Sequence, residues 1–567
     1  MTTKISRSAK VVTVLALTLG LLAGCGGNTT NKPEDTGQPA ASTNDNDLSP
    51  VTFSFFGADP NPNWNKMQDD VGKEITKLTG VTLDAEFPVG DASQKVALIA
   101  TSGQYPDLIS PKAELNKLVD AGAMLDLTDL IDKHAPNIKK MLGDQIKRLR
   151  YSNDDKSIYV IPTYSAVDQV NFVAAGGFSL QHRAVKEAGY PPIKTLQDYE
   201  NVIKSYLDKH PTNENGDPNI GLTLNADDWH TYISVTNPAA DSTGKAGDGE
   251  WYIDPKTYEA TYHYRTEGEK DYFKWLNHMF NTGLLDKDTF VQKSDQYNAK
   301  IASGRVIGLI DADWSFGDGL KSLKKDGKFD QTYGYFPVML SDKYKDNRLQ
   351  STGFMAGWGV GITTSCKDPV RAIKFLDFLA SEKGQILNNW GVEGKQYIME
   401  NGKRVVPADV QNRINNDNTA FSKESGIGFY GYSLKYGDGV KDSTGNYYTK
   451  NFPELIVQGY SDTDKQTLQA YGAKTYADLF TPMQELPVKP WGAAWNLSVP
   501  ADDEVSILQN KMKDITWKRI PQAIMAKPDQ FDKIWDDYQQ DLIKAGVEKM
   551  EKGFTKYVQD RVKLWNE

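Results

Sequence analysis

Two cysteines in 567 residues leave this chain no disulfide framework to lean on. Several other absences narrow the reading further. Beyond residue 24 no apolar run approaches the roughly 20 residues that a membrane helix needs, so the body of the chain has no spanning helix. No basic block follows the first residues, and the formal net charge is −10. That balance argues against nucleic acid and anionic lipid head groups as partners. Enzyme signatures are missing too: there is no G-x-S-x-G elbow, no H-E-x-x-H and no P-loop. The six histidines, at 134, 182, 210, 230, 263 and 278, fall at no metal-ligand spacing. Gly357-x-Gly359-x-Gly361 lacks the final spacing of a dinucleotide fingerprint and reads as a turn or a close backbone approach. Carboxylates are plentiful, but a glycosidase pair is defined by cleft geometry rather than by number.

What is present begins with the leader. Lys4, Arg7 and Lys10 precede an apolar stretch from Val11 to Leu22, and Leu22-Ala23-Gly24-Cys25 closes it. The stretch has the length of a signal-peptide core, about 7–15 residues, and is too short to span a bilayer. Charge, apolar run, small residues and cysteine stand in the order of a bacterial lipoprotein processing site. We therefore expect residues 1–24 to be removed and Cys25 to become a lipidated N-terminus. Cys366 is then left without an intramolecular partner, and the exported fold must be held by its cores. Thr363-Thr364-Ser365 beside it suggests a structural thiol.

Gly26 to Pro50 has almost no large apolar residue and cannot bury enough surface to fold. As a flexible tether of about 25 residues it reaches roughly 25–30 Å. The rest is 25% charged and 39% hydrophobic, with length for two or more cores. Strand candidates alternate with helices: Val51–Phe56, a helix from Trp64 to Leu78, Val81–Phe87, a helix over Gln94–Thr101, then Pro106–Ser110. That alternation predicts a parallel sheet with right-handed crossovers, in which ligands bind beyond the carboxyl ends of the strands. The loops to watch are Gly57–Asn65, Ser110–Lys112 and, after Ile158–Ile161, Pro162–Ser165. Further on, Thr195–Leu207 and Tyr272–Phe280 read as helices and Arg305–Ile310 as a buried strand. Pro369 opens a helix through Asn389, and Asp502–Trp565 is mainly helical.

Twelve Trp and 28 Tyr suit the recognition of sugars, whose C–H faces flat rings can cover, although most rings in a large protein simply pack. Rings and carboxylates near strand ends are the candidate binding residues. They are Trp314 with Asp311 and Asp313, Trp229 with Asp228, Trp358 in the Gly-rich turn, Trp64 and Asp59 after the first strand, and Tyr164 on the Ile-Pro loop. Trp491 and Trp495, in Trp-Gly-Ala-Ala-Trp, complete the set, whereas Trp390 at a helix end reads as core. Asn213-Glu214-Asn215-Gly216-Asp217 carries oxygen ligands on alternate residues, as a calcium loop does, but lacks the full twelve-residue pattern. Calcium at Asn213, Asn215 and Asp217 stays open beside a plain Asn/Gly turn. No cofactor and no other metal is expected.

Several segments together resemble the family 1 extracellular solute-binding proteins, the lipid-anchored receptors of bacterial ABC sugar importers. They are Ile161-Pro162 followed by Ala184–Tyr206, which contains Thr195-Leu196-Gln197-Asp198-Tyr199; then Asp295–Arg305, Lys367–Gly384 and Phe531–Tyr538. Order and spacing from Cys25 onward are most similar to the large Gram-positive oligosaccharide-binding members. Two departures stand out: Val170–Phe178 lacks the Trp usual in that strand, and the calcium-like loop is shortened. The resemblance implies a two-lobed, periplasmic-binding-protein-like (type II) α/β fold. Each lobe is expected to be a mainly parallel sheet flanked by helices, with a helical C-terminal tail. It assigns 50–165 with 305–370 to the first lobe, 166–304 with 371–500 to the second, and 501–567 to helices packed on the lobes. It further implies a non-enzymatic, monomeric receptor that hands an oligosaccharide to ABC permease subunits at the outer face of the membrane. A peptide-binding receptor is the alternative in the same class, and a surface polysaccharide-degrading enzyme the alternative in another.

Overall fold

The structure is a computed structural model that describes residues 47–567, apart from 246–248, 496, 498 and 501 and the side chains of 415, 416 and 491. Cys25, the leader and nearly all of the expected tether lie outside the described residues, as does the side chain of Trp491.

Val51–Gly57 organises a five-stranded sheet. It runs parallel to Val81–Glu86 on one side and to Leu108–Ser110 on the other. Gly359–Ile362 then pairs antiparallel with Leu108–Ser110, and Ile161–Pro162 closes the edge, also antiparallel. Phe53 and Phe55 enter one hydrophobic core while Phe56 enters another, so both faces of this strand are covered. The helix after it, Asp70–Thr79, is capped by Asp69, whose carboxylate accepts the Gly72 N–H at 2.6 Å. The expected start at Trp64 is too early because Lys66 and Met67 both sit at φ 59°, a left-handed conformation that no helix continues through.

A second sheet has the strand Val306–Ala312 inside it, between Gly176–Gln181 (antiparallel) and Ile220–Thr223 (parallel), with Tyr333–Tyr335 on the outer edge. All seven residues of Val306–Ala312 are buried. Helix Leu196–Lys209 packs across it, and the Tyr199 hydroxyl donates to the carbonyls of Ser179 and Leu309 at 3.2 and 3.1 Å. A Cβ on Gly308 would meet that hydroxyl at 2.4 Å, so this strand needs its glycine.

These two sheets and their cores are the two lobes of the α/β fold, with boundaries that differ from the expected ones. Residues 306–312 and 333–335 belong to the second sheet, and the chain rejoins the first only at Gly359. Helices Pro369–Ala380 and Glu382–Trp390 then bury Ile373, Leu376, Leu379 and Leu387 in the first core, not the second. A strand that is apolar throughout fits the interior of either sheet equally well, and pattern alone did not choose between them. The sheets are also mixed rather than mainly parallel. The single helix expected over 369–389 breaks at Ser381, which is extended (ψ 161°) and caps the next helix through the Gly384 N–H. Helices Glu504–Met525, Phe531–Ala545 and Val547–Asn566 bury Met512, Trp535 and Phe554 in the second core. No helix among the described residues is long and apolar enough to cross a membrane.

Candidate functional site

Two groups of aromatic side chains gather where strands end. The first is at the carboxyl end of Val306–Ala312. Asp311 is only 2% exposed; its carboxylate accepts the Ala312 N–H and the Ser315 hydroxyl, each at 2.8 Å. Burial pushes its carboxyl up to about 7 against those hydrogen bonds. The buried Asp311 thus anchors a tight turn that projects Trp314 outward, 57% exposed. The neighbouring turn follows Ile220–Thr223 and carries Asp228, at φ 52°, and Trp229, 47% exposed. The Ser234 hydroxyl ties that turn to the Ile310 carbonyl at 2.8 Å.

The result is a ring assembly of defined shape. His230 stacks on Trp229 at 3.9 Å, Trp229 lies 5.7 Å from Trp314 with planes 24° apart, and His230 is 6.3 Å from Trp314. A linear stack would put His230 far beyond 6.3 Å from Trp314. The three distances instead place Trp314 beside Trp229, with His230 covering one face of Trp229. The two indoles form a shelf.

Below Trp314 lies a cavity of about 290 Å³ lined by Gly176, Asp241, Asp311, Arg348 and Lys489 among others. The segment that crosses from the first sheet enters here with three successive left-handed residues: Ala175 (φ 51°), Gly176 (φ 107°) and Gly177 (φ 102°). A Cβ at Gly176 would stand 2.4 Å from the Asp311 carbonyl oxygen, so glycine is what lets the crossing segment touch the strand. Arg348, from the second crossing segment, donates to the carbonyls of Ala174 and Ala175 at 3.0 and 3.4 Å and pairs with Asp241 at 3.5 Å.

The second aromatic group is built on the first lobe and is joined by Trp495, which packs against the second core. The Tyr164 hydroxyl donates to Asp59, and the Lys112 ammonium pairs with the same carboxylate. Lys112 also lies 5.4 Å over both the Tyr164 and the Trp358 rings. Trp358 stands 5.2 Å from Tyr164, nearly perpendicular, and 5.2 Å from Trp495. The three loops singled out in the sequence therefore converge here, and Tyr164 remains 37% exposed.

Other candidates fall elsewhere. Trp64 packs on Phe87 and Tyr430, at 5.7 and 5.8 Å, against the first core. Trp390 is buried and donates its indole N–H to the carbonyls of Tyr447 and Tyr448. Asn213 Oδ1 accepts the amide N–H groups of Asn215 and Asp217, which closes an exposed turn. Cys366 is buried, and burial pushes its thiol up to about 11. Sequence reasoning missed Arg348, Asp241, Lys489 and the side chain of Lys112. Only Lys112 had a signal, its place in a loop already marked; the others sit in crossing segments and a helix without any pattern.

Comparison with known proteins agrees with this architecture. The profile of a family described as Bacterial extracellular solute-binding protein matches residues 70–390. A fructooligosaccharide ABC transporter substrate-binding protein, FusA of Streptococcus pneumoniae serotype 4, is 23% identical over 69% of this chain and 72% of its own. Lipoprotein LipO of Bacillus subtilis is 21% identical over 70% of this chain and 75% of its own. Among solved structures, an EF-hand mutant of S. pneumoniae FusA in complex with fructo-nystose superposes with a TM-score of 0.64. It is 18% identical and covers 90% of this chain and 99% of that one.

Proposed function

Because the chain belongs to the bacterial extracellular solute-binding proteins, we propose that it captures an oligosaccharide between its lobes and delivers it to an ABC permease. The observation that carries the reading is the pair of exposed aromatic groups at the strand ends, Trp229 with Trp314 and Tyr164 with Trp358. Rings of this kind cover apolar C–H surfaces, while flanking carboxylates accept hydroxyl protons. A buried sugar hydroxyl left unpaired costs about 1–3 kcal/mol, which gives the site its selectivity. The named ligands of the relatives, a fructooligosaccharide and fructo-nystose, support a sugar over a peptide.

The ligand-binding set is Trp229, Asp228, Trp314, Asp313, Asp311, Trp358, Trp495, Tyr164 and Asp59. Cys25 carries the lipid, and the chain works as a monomer tethered to the outer face of the membrane; the lipoprotein name of one relative supports the anchor. Calorimetry against a panel of oligosaccharides and peptides tests the ligand. Sugar binding is expected; binding to peptides alone would overturn it. New reducing ends or unsaturated products from a polysaccharide would instead favour the enzyme reading. Metabolic labelling with a fatty acid, lost in Cys25→Ala, tests the anchor.

A further inference from the structure

The charge carried by the ligand can be read from the shelf. Each indole is preceded by an aspartate, Asp228 before Trp229 and Asp313 before Trp314. Neither carboxylate forms a hydrogen bond or ion pair among the described residues. The neighbouring Asp227 is different: Lys293 pairs with it at 2.8 Å and Ser294 donates to it. The cations around the shelf are mostly engaged in the same way. Lys293 is held by Asp227, and Arg348 by Asp241 and two backbone carbonyls. Lys489, which lines the cavity below Trp314, is the exception: its ammonium has no ion pair among the described residues. In the first-lobe group, Asp59 neutralises Lys112 and takes the Tyr164 hydroxyl, which leaves that group without net charge.

With His230 on one side of Trp229, the opposite faces of the two side-by-side rings are the surface offered to a ligand. A chain lying on it passes the two turns that carry Asp228 and Asp313. Hydroxyl groups there donate to free acceptors. A carboxylate or sulfate there would meet the like charge of two carboxylates against the single unpaired ammonium of Lys489 in the cavity below, an arrangement that selects by rejection.

We propose that the Trp229–Trp314 shelf, with its two unpaired aspartates, makes this a site for uncharged oligosaccharides that turns away uronic-acid and sulfated chains. The inference rests on the sugar reading above, and one experiment separates them. The full processed chain is titrated by calorimetry with neutral cello-, xylo-, manno- and fructo-oligosaccharides, and with oligogalacturonates and sulfated oligosaccharides of matched length. A neutral chain is expected to bind best, with acidic chains at least tenfold weaker. In the double variant D228N/D313N that gap is expected to narrow at least tenfold, with the fold checked by circular dichroism and melting. An acidic chain that binds as well as the best neutral one overturns the charge selection and leaves the sugar reading standing. An unchanged gap in D228N/D313N likewise overturns the role of these carboxylates. Silence on every sugar overturns the sugar reading itself, and this inference with it.

Discussion

Trp229 and Trp314 come from turns after different strands, yet their rings lie 5.7 Å apart with planes 24° apart and both remain half exposed. Exposed indoles that pack beside each other rather than into a core keep apolar surface available. Their removal should therefore cost affinity rather than stability. We expect Trp314→Ala and Trp229→Ala each to weaken ligand binding at least about tenfold, or roughly 1.4 kcal/mol. Melting temperatures should stay near that of the parent. Calorimetry and thermal melts on the same samples check this; unchanged affinity in both variants would remove the shelf from the site.

Trp64 gives the opposite expectation. It rests on Phe87 and Tyr430 at the first core. Trp64→Phe should lower stability by about 1–3 kcal/mol through imperfect repacking and leave the dissociation constant within about twofold. Urea unfolding and calorimetry separate the two effects.

Asp311 makes stability depend on pH. Its ordinary value is 3.8, and burial holds it near 7 in the folded protein. A raised carboxyl binds more protons folded than unfolded between those values. Its stabilising contribution is complete below about pH 4 and is lost as pH rises through about 7. Asn at this position cannot ionise, still accepts the Ala312 N–H, and can donate to the Ser315 hydroxyl. We expect Asp311→Asn to match the parent near pH 4–5 and to exceed it at pH 8 by as much as a few kcal/mol. Melting curves across pH 4–8 report the crossing; a constant difference would argue against a buried protonated carboxyl.

Gly176 is a steric test of the crossing segment. Its φ of 107° and the 2.4 Å approach of a Cβ to the Asp311 carbonyl leave no room for a side chain. Gly176→Ala should destabilise the protein by about 1–3 kcal/mol and weaken ligand binding by displacing the turn that bears Trp314. Gly177→Ala has open space around its Cβ, with Arg348 as the nearest group at 3.6 Å, but shares the positive φ, so it should cost strain alone. Denaturant midpoints of the two variants compare clash with strain.

The placing of several candidate residues was legible in the sequence because strand ends are where an α/β sheet exposes side chains. Trp229, Trp314 and Tyr164 each stand just past an apolar run, and Trp358 stands in a Gly-rich turn just before one. The same logic misjudged Trp64, since a loop after a strand also supplies rings to its own core. What pattern did not carry was long-range pairing. Val306–Ala312 reads as a buried strand in any sheet, and its partners, Gly176–Gln181 and Ile220–Thr223, are set by packing across the lobe. Arg348 was invisible for a related reason: its partners are the backbone carbonyls of Ala174 and Ala175, which no residue type announces.

The last helix, Val547–Asn566, is rooted in the second core but does not stop there. Its Trp565 ring lies 4.7 Å under the Arg148 guanidinium of the first lobe, and Asn153 of that lobe donates to the Asp560 carbonyl at 2.9 Å. Arg561, one turn earlier, donates to the carbonyl of Trp495 in the aromatic group. Any parting of the lobes must stretch or break these contacts. The last helix is thus a strap across both lobes, and through Arg561 the same strap holds the backbone beneath the Trp495 ring.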